Sequence, residues 1–228
     1  MLTSHGCEDG GPPQAASPPT ALSRAIDVNV LLLLDGVTLH RATEVSRLAA
    51  QAYAPVGIRL RFTSRSVRFA STQAPDLFDA MRLARETSRR NNRLPEHHVL
   101  HLLTTKDVRS GGSNPVGVAA CIGGIESPDS ALSLSEVKRS DDGRAVFGLP
   151  ALTWEVGFSA TIFAHEVGHL FGARHEYGNC LEGGADAAHP TVLRPCTLMT
   201  GPGGSANARR FGTLEAAVVR GYAEKYVA

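Results

Sequence analysis

Three histidines at positions 165, 169 and 175, with Glu166 and Gly172 set among them, constrain this chain more than any other feature, because they can serve one metal ion in only one local geometry. His165 and His169 are four residues apart, and on an α-helix such residues stack on one face about 5–6 Å apart at Cβ. Glu166 lies close enough to that face to reach a water on the ion without being a ligand, the placement expected of a general base in zinc hydrolysis. Gly172 has no Cβ. The chain can therefore take a left-handed conformation there, end the helix after Leu170 and Phe171, and bring His175 back as a third ligand. Structural zinc sites fill all four positions with protein, so an all-histidine set of three points to catalysis with the fourth position left for water.

A bare His-Glu-x-x-His run recurs by chance in ordinary helices, where the histidines are simply part-buried and hydrogen-bonded. The additional Gly, a residue with a base rate of about 7%, and the third His together make chance a poor explanation. The run His165-Glu166-Val167-Gly168-His169-Leu170-Phe171-Gly172-Ala173-Arg174-His175 resembles the zinc signature of the metzincin metallopeptidases. Downstream, Cys196-Thr197-Leu198-Met199-Thr200 resembles the methionine turn of the adamalysin (reprolysin) branch. By that resemblance Met199 is the hydrophobic floor under the three histidines, whereas a lone Met is otherwise core filler. Two positions depart from branch patterns. Gly201 stands where astacin-like and serralysin-like relatives place a tyrosine ligand, and Glu176 follows the third His where adamalysins usually have Asp.

The resemblance implies a zinc endopeptidase with one catalytic zinc and a peptide or protein substrate. It also implies that the substrate lies extended along a sheet edge at Val116, Gly117, Val118 and Ala119, which is binding by strand addition. The pocket wall would come from the residues after Met199, where Gly201 to Gly204 read equally well as a plain surface loop. Two alternatives use the same residues: a zinc-holding binding module without turnover, and a zinc hydrolase acting on a non-peptide amide.

The chain has 228 residues, 43% hydrophobic and 20% charged, enough for one well-buried core, so one domain and a monomer are expected. A formal net charge of +1 gives no long-range field to recruit nucleic acid or an anionic membrane. The longest apolar run, Val28 to Leu34, is interrupted by Asn29 and ends at Asp35, which suits a buried strand and falls short of the roughly 20 residues that span a bilayer. No positively charged start followed by an apolar stretch marks a secretory signal. The family resemblance nevertheless implies work outside the cytosol.

Among the four cysteines, loop position and the adamalysin resemblance favour a Cys180–Cys196 bridge over free buried thiols. It would close a loop of about 15 residues, worth on the order of 3 kcal/mol. Cys121, in an apolar run, is expected as a small core residue. Cys7 is expected as an unpaired thiol on a tail, with an inhibitory role at the zinc position the lesser reading.

Residues 1–24 are rich in Pro, Gly, Ser and Ala without hydrophobic periodicity and are expected as a flexible tail. The catalytic domain is expected over 25–228, divided into an upper subdomain 25–172 and a lower one 173–228. Hydrophobic patterning predicts strands from Ile26, over Val56–Phe62, Val99–Thr104 and Val116–Ile122, and over Ala131–Val137. It predicts helices over Thr43–Tyr53 and Leu77–Asn92, and a zinc helix from about Ser159 as N-cap. In that helix Phe163, Val167 and Leu170 lie opposite His165 and His169 and should face the core. The fold class is thus α/β (α+β): a twisted mixed sheet of about five strands with helices, then a smaller irregular C-terminal part carrying the methionine turn and a terminal helix. His97, His98 and His101 are expected as strand-edge histidines, not a second metal site, because side chains alternate along a strand. Arg82, Arg85, Arg89, Arg90 and Arg93 are expected as the solvated face of the second helix.

Overall fold

The computed structural model describes residues 24–68, 96–108, 116–137, 151–175, 197–199 and 210–228. Five strands make one sheet: β1 (Ile26–Asp35), β2 (Ile58–Val67), β3 (Val99–Thr104), β4 (Gly117–Ala119) and β5 (Leu132–Glu136). Their order across the sheet is β2-β1-β3-β5-β4. The first four in that order run parallel, and β4 closes one edge antiparallel to β5. Helices α1 (Leu39–Tyr53), α2 (Ala151–Leu170) and α3 (Thr213–Tyr226) complete the described elements. The mixed sheet of five strands with helices is the fold class the pattern predicts.

A strand buried on both faces has no need of a polar alternate, which explains the unbroken leucines of β1. Val28, Val30, Leu32 and Leu34 point into a core shared with Val45 and Ala49 of α1 and Phe163 and Val167 of α2. Leu31 and Leu33 point the other way, into a second cluster with Leu100, Leu102, Leu132 and Leu134. On α2, Phe163, Val167 and Leu170 are wholly buried, as their spacing predicts. Tyr53, at the end of α1, donates its phenol to the carbonyl of Ala164 at 2.7 Å and so ties α1 to the middle of α2.

Several boundaries and roles differ from expectation. Helix α1 begins four residues earlier than its apolar pattern, because the Thr38 hydroxyl accepts from the Arg41 amide at 3.2 Å and caps it. Strand β2 continues to Val67, with Arg59, Arg61 and Arg65 on its exposed face. Helix α2 begins at Ala151, so Ser159 is not its N-cap but a fully buried residue inside it. His101 is not a strand-edge residue. It sits on the central strand β3, with Nδ1 2.7 Å from Ser133 Oγ and Nε2 2.9 Å from Ser135 Oγ, both on β5. Cys121, expected as a small core residue, is 9% exposed and is in addition disulfide-bonded. Burial in an apolar run suits a thiol and a disulfide equally, so the sequence pattern could not separate them. The predicted helix Leu77–Asn92 with its arginine stripe, together with Cys7, Cys180, Cys196, Glu176 and the loop 201–204, lies outside the described residues.

Candidate active site

The C-terminal end of α2 shapes the site. Gly172 has φ +82°. Its amide reaches the His169 carbonyl at 2.9 Å and the Ala173 amide reaches the Gly168 carbonyl at 3.1 Å, the pair of bonds that closes a Schellman turn. A Cβ on Gly172 would also run into the Tyr222 ring of α3. Backbone freedom and close packing therefore demand glycine where the chain turns back towards His175. The His169 carbonyl takes a second bond, from the Gly123 amide at 2.8 Å, which anchors the helix end to the segment following β4.

That turn brings three imidazoles together. The Nε2 atoms of His165 and His175 are 2.9 Å apart, and that of His169 is 3.1 Å from each. The other nitrogen of each helical histidine is committed. His165 Nδ1 lies 2.7 Å from the Leu198 carbonyl and His169 Nδ1 2.7 Å from the Ala173 carbonyl. A carbonyl only accepts, so both Nδ1 atoms carry the proton, and in a neutral ring both Nε2 atoms then present lone pairs. Two lone pairs facing each other at 3.1 Å have no proton between them and repel unless a cation lies within their reach.

The rings are held neutral. Burial lowers the pKa of His165 despite its bond to Leu198, and burial followed by the neighbouring His165 lowers that of His169 to about 4. His175 is lowered by burial as well. Tetrahedral zinc with nitrogen ligands at about 2.0–2.1 Å spaces those nitrogens about 3.3 Å apart. The observed triangle is within a few tenths of an ångström of that, so the donor set fits zinc. It is also the one cluster of metal-ligating residues among the described residues.

Glu166, which follows His165 on α2, is buried at 7% exposed, and burial raises its pKa to about 8. Edge strand β4 presses against it. A Cβ built on Gly117 would lie 2.9 Å from Glu166 Oε1, 2.8 Å from its Cγ and 2.6 Å from Ile162 Cγ2. Only glycine lets the strand approach the carboxylate so closely. Of the segment expected to hold substrate, Gly117, Val118 and Ala119 form β4 itself, and the Val116 carbonyl accepts from the Glu136 amide at 2.9 Å. Because β4 pairs only with β5 in the sheet order, its other edge is open to strand addition among the described residues.

Met199 is wholly buried. A Cβ on Gly168, between the two helical histidines, would be 3.0 Å from Met199 Sδ and 3.1 Å from Phe211 Cε1. Side-chain motifs pointed to His165, His169, His175, Glu166 and Met199, but they gave no sign of the backbone carbonyls of Leu198 and Ala173 that fix the ring tautomers. Such partners carry no residue-type signature. Their signal is positional, one residue before Met199 and one after Gly172.

A family model, Reprolysin_5, described as metallo-peptidase family M12, matches residues 27–204. No curated protein matches the chain in sequence. Among solved structures, the fold is similar to an archaemetzincin from Methanopyrus kandleri, with TM-score 0.55 and 16% identity over 87% of this chain and 96% of that one. It is similar to metalloproteinase-II from Bacteroides fragilis, with TM-score 0.58 and 14% identity over 90% of this chain and 55% of that one. A zinc-dependent peptidase from Methanocorpusculum labreanum is similar at TM-score 0.51 and 16% identity, over 83% of this chain and 99% of the other. At these identities the structural likeness speaks for the fold alone.

Proposed function

Because the chain belongs to metallo-peptidase family M12, we propose that it is a zinc-dependent endopeptidase of metzincin type, nearest the adamalysin (reprolysin) branch, which cleaves peptides or proteins outside the cytosol. The observation that carries this reading is the triangle of three histidine nitrogens, 2.9–3.1 Å on a side, with Glu166 buried and next to His165 in the chain. When bound, zinc supplies a Lewis acid that lowers the pKa of water towards about 7 and polarises a carbonyl.

The protein's own residues do the rest. His165, His169 and His175 hold the ion. The Glu166 carboxylate takes the proton of the attacking water and hands it to the leaving amine. The open edge of β4 aligns an extended peptide across the site. The division into a 25–172 upper and a 173–228 lower subdomain belongs to the same reading.

The test is digestion of casein and of a quenched peptide library with and without a chelator, alongside metal analysis of the purified protein. Chelator-sensitive internal cleavage with one zinc per chain is the expected result. Zinc without cleavage of any peptide would replace the reading with a binding module. Cleavage of small amides alone would replace it with a non-peptide hydrolase.

Gly117 offers a second check. Gly117→Ala must push β4 or Glu166 aside, and overpacking of this kind costs about 1–3 kcal/mol. Expressed as misplacement of the general base, that is a fall in kcat of about 5- to 150-fold. Zinc content should change little. Wild-type kcat in this variant would mean that the strand gives way without moving the carboxylate.

A further inference from the structure

The C-terminal helix reaches the zinc site through an unbroken chain of hydrogen bonds. Glu215, in the first turn of α3, is 4% exposed. Its Oε2 accepts from the Gly212 amide at 2.6 Å, and its Oε1 accepts from the Thr197 hydroxyl at 2.7 Å. The Thr197 oxygen in turn accepts from the Met199 amide at 3.3 Å. That amide and the Leu198 carbonyl are the two ends of one planar peptide unit. The carbonyl end accepts from His165 Nδ1 at 2.7 Å. The same turn is pinned from the other side, where the Leu198 amide donates to the Arg210 carbonyl at 2.7 Å.

We propose that Glu215 and Thr197 are positioning residues for the zinc ligand His165, forming a carboxylate–hydroxyl–peptide–imidazole relay that sets both the orientation of the ring and the donor strength of its Nε2. The inference rests on the zinc reading of the three histidines. Its physical basis is twofold. A peptide plane held at only one end can rotate, and here Thr197 fixes the end that His165 does not touch. Hydrogen bonds in series also polarise one another, so an anionic carboxylate at the far end draws the Nδ1 proton towards the Leu198 carbonyl and enriches Nε2. Histidine ligands whose second nitrogen is hydrogen-bonded to a carboxylate or carbonyl are commonly tuned in this way, and loss of such a partner typically weakens metal binding about 10- to 100-fold. In this chain a hydroxyl and a peptide extend the connection from carboxylate to ring.

The relay differs from ordinary bracing of the methionine turn in what it moves. Bracing alone changes how stable the fold is, whereas the relay changes how tightly the folded protein holds zinc. Zinc dissociation constants should therefore be measured by competition with a chromophoric chelator for the wild type, Thr197→Val, Thr197→Ser and Glu215→Gln, with thermal unfolding of the zinc-free proteins in parallel. Valine keeps the shape of threonine and removes the hydroxyl, serine restores it, and glutamine keeps an acceptor while removing the charge.

The expected result is zinc binding weakened about 10-fold or more in Thr197→Val, by less in Glu215→Gln, and restored to within about threefold of wild type in Thr197→Ser. If Thr197→Val does not fold, the Glu215→Gln and Thr197→Ser pair decides. Unchanged zinc affinity in the folded variants, whatever their unfolding temperatures, overturns the relay. A wild-type protein that binds no zinc overturns the zinc reading itself, and the two failures are distinct.

Discussion

Glu166→Gln should leave a folded, zinc-loaded protein that has lost nearly all peptide cleavage, with kcat down about 10²- to 10⁴-fold, the range over which a positioned acid–base group acts. Glutamine fills the same volume against Gly117 and Ile162, so the packing of β4 on α2 is kept. It is also at ease in the same burial, because burial already disfavours the charged form of Glu166 and raises its pKa to about 8. What the amide lacks is the ability to take up a proton. His165 and His169 keep their backbone partners at Leu198 and Ala173, so zinc content should match the wild type. Metal analysis, circular dichroism and the peptide digest together check this. A Glu166→Gln protein that cleaves at the wild-type rate would remove Glu166 from the chemistry, and one that loses zinc would show the carboxylate to be part of the ion's holding site.

What was legible in the sequence follows from how far each signal reaches along the chain. His165, Glu166, His169 and Gly172 act within one helix and its terminal turn, where spacing alone fixes geometry, and the structure brings the rings of His165 and His169 together with that of His175. The leucines of β1 were legible for the same reason, since period and hydrophobicity are local. The start of α2 was not. Ser159 has the right residue type for an N-cap, but its hydroxyl is buried within a helix that began eight residues earlier. Residue type signals a cap only where the helix ends, and tertiary packing decided where that was. The role of Thr197 was hidden differently, because its partner Glu215 is 18 residues away and the two meet only when α3 docks.

His101 lies on the central strand β3 and not at a strand edge, and that position makes the fold sensitive to acid. On the central strand its ring is wholly buried, stacked 4.1 Å from the Phe163 ring of α2 and bonded through both nitrogens to Ser133 and Ser135. Burial holds its pKa down to about 3, against an ordinary value of 6.5. The unfolded chain therefore takes up a proton as the pH falls through 6.5, while the folded chain does not until about pH 3. Stability from this residue is complete above pH 6.5 and declines by about 1.4 kcal/mol for each pH unit below it, levelling near pH 3. The whole loss, on the order of 4–5 kcal/mol, is a large share of the roughly 5–15 kcal/mol that holds a typical domain together. Urea unfolding of the zinc-free protein at pH 7, 6, 5 and 4 should show this slope. Working without zinc removes metal release as a cause, and the protonation of His165, His169 and His175 then contributes equally to wild type and variant. His101→Gln should be less stable than wild type at pH 7, yet lose less stability between pH 6.5 and 4, because an amide can still bond a serine and does not titrate. Equal slopes for the two proteins would show that the acid sensitivity arises elsewhere.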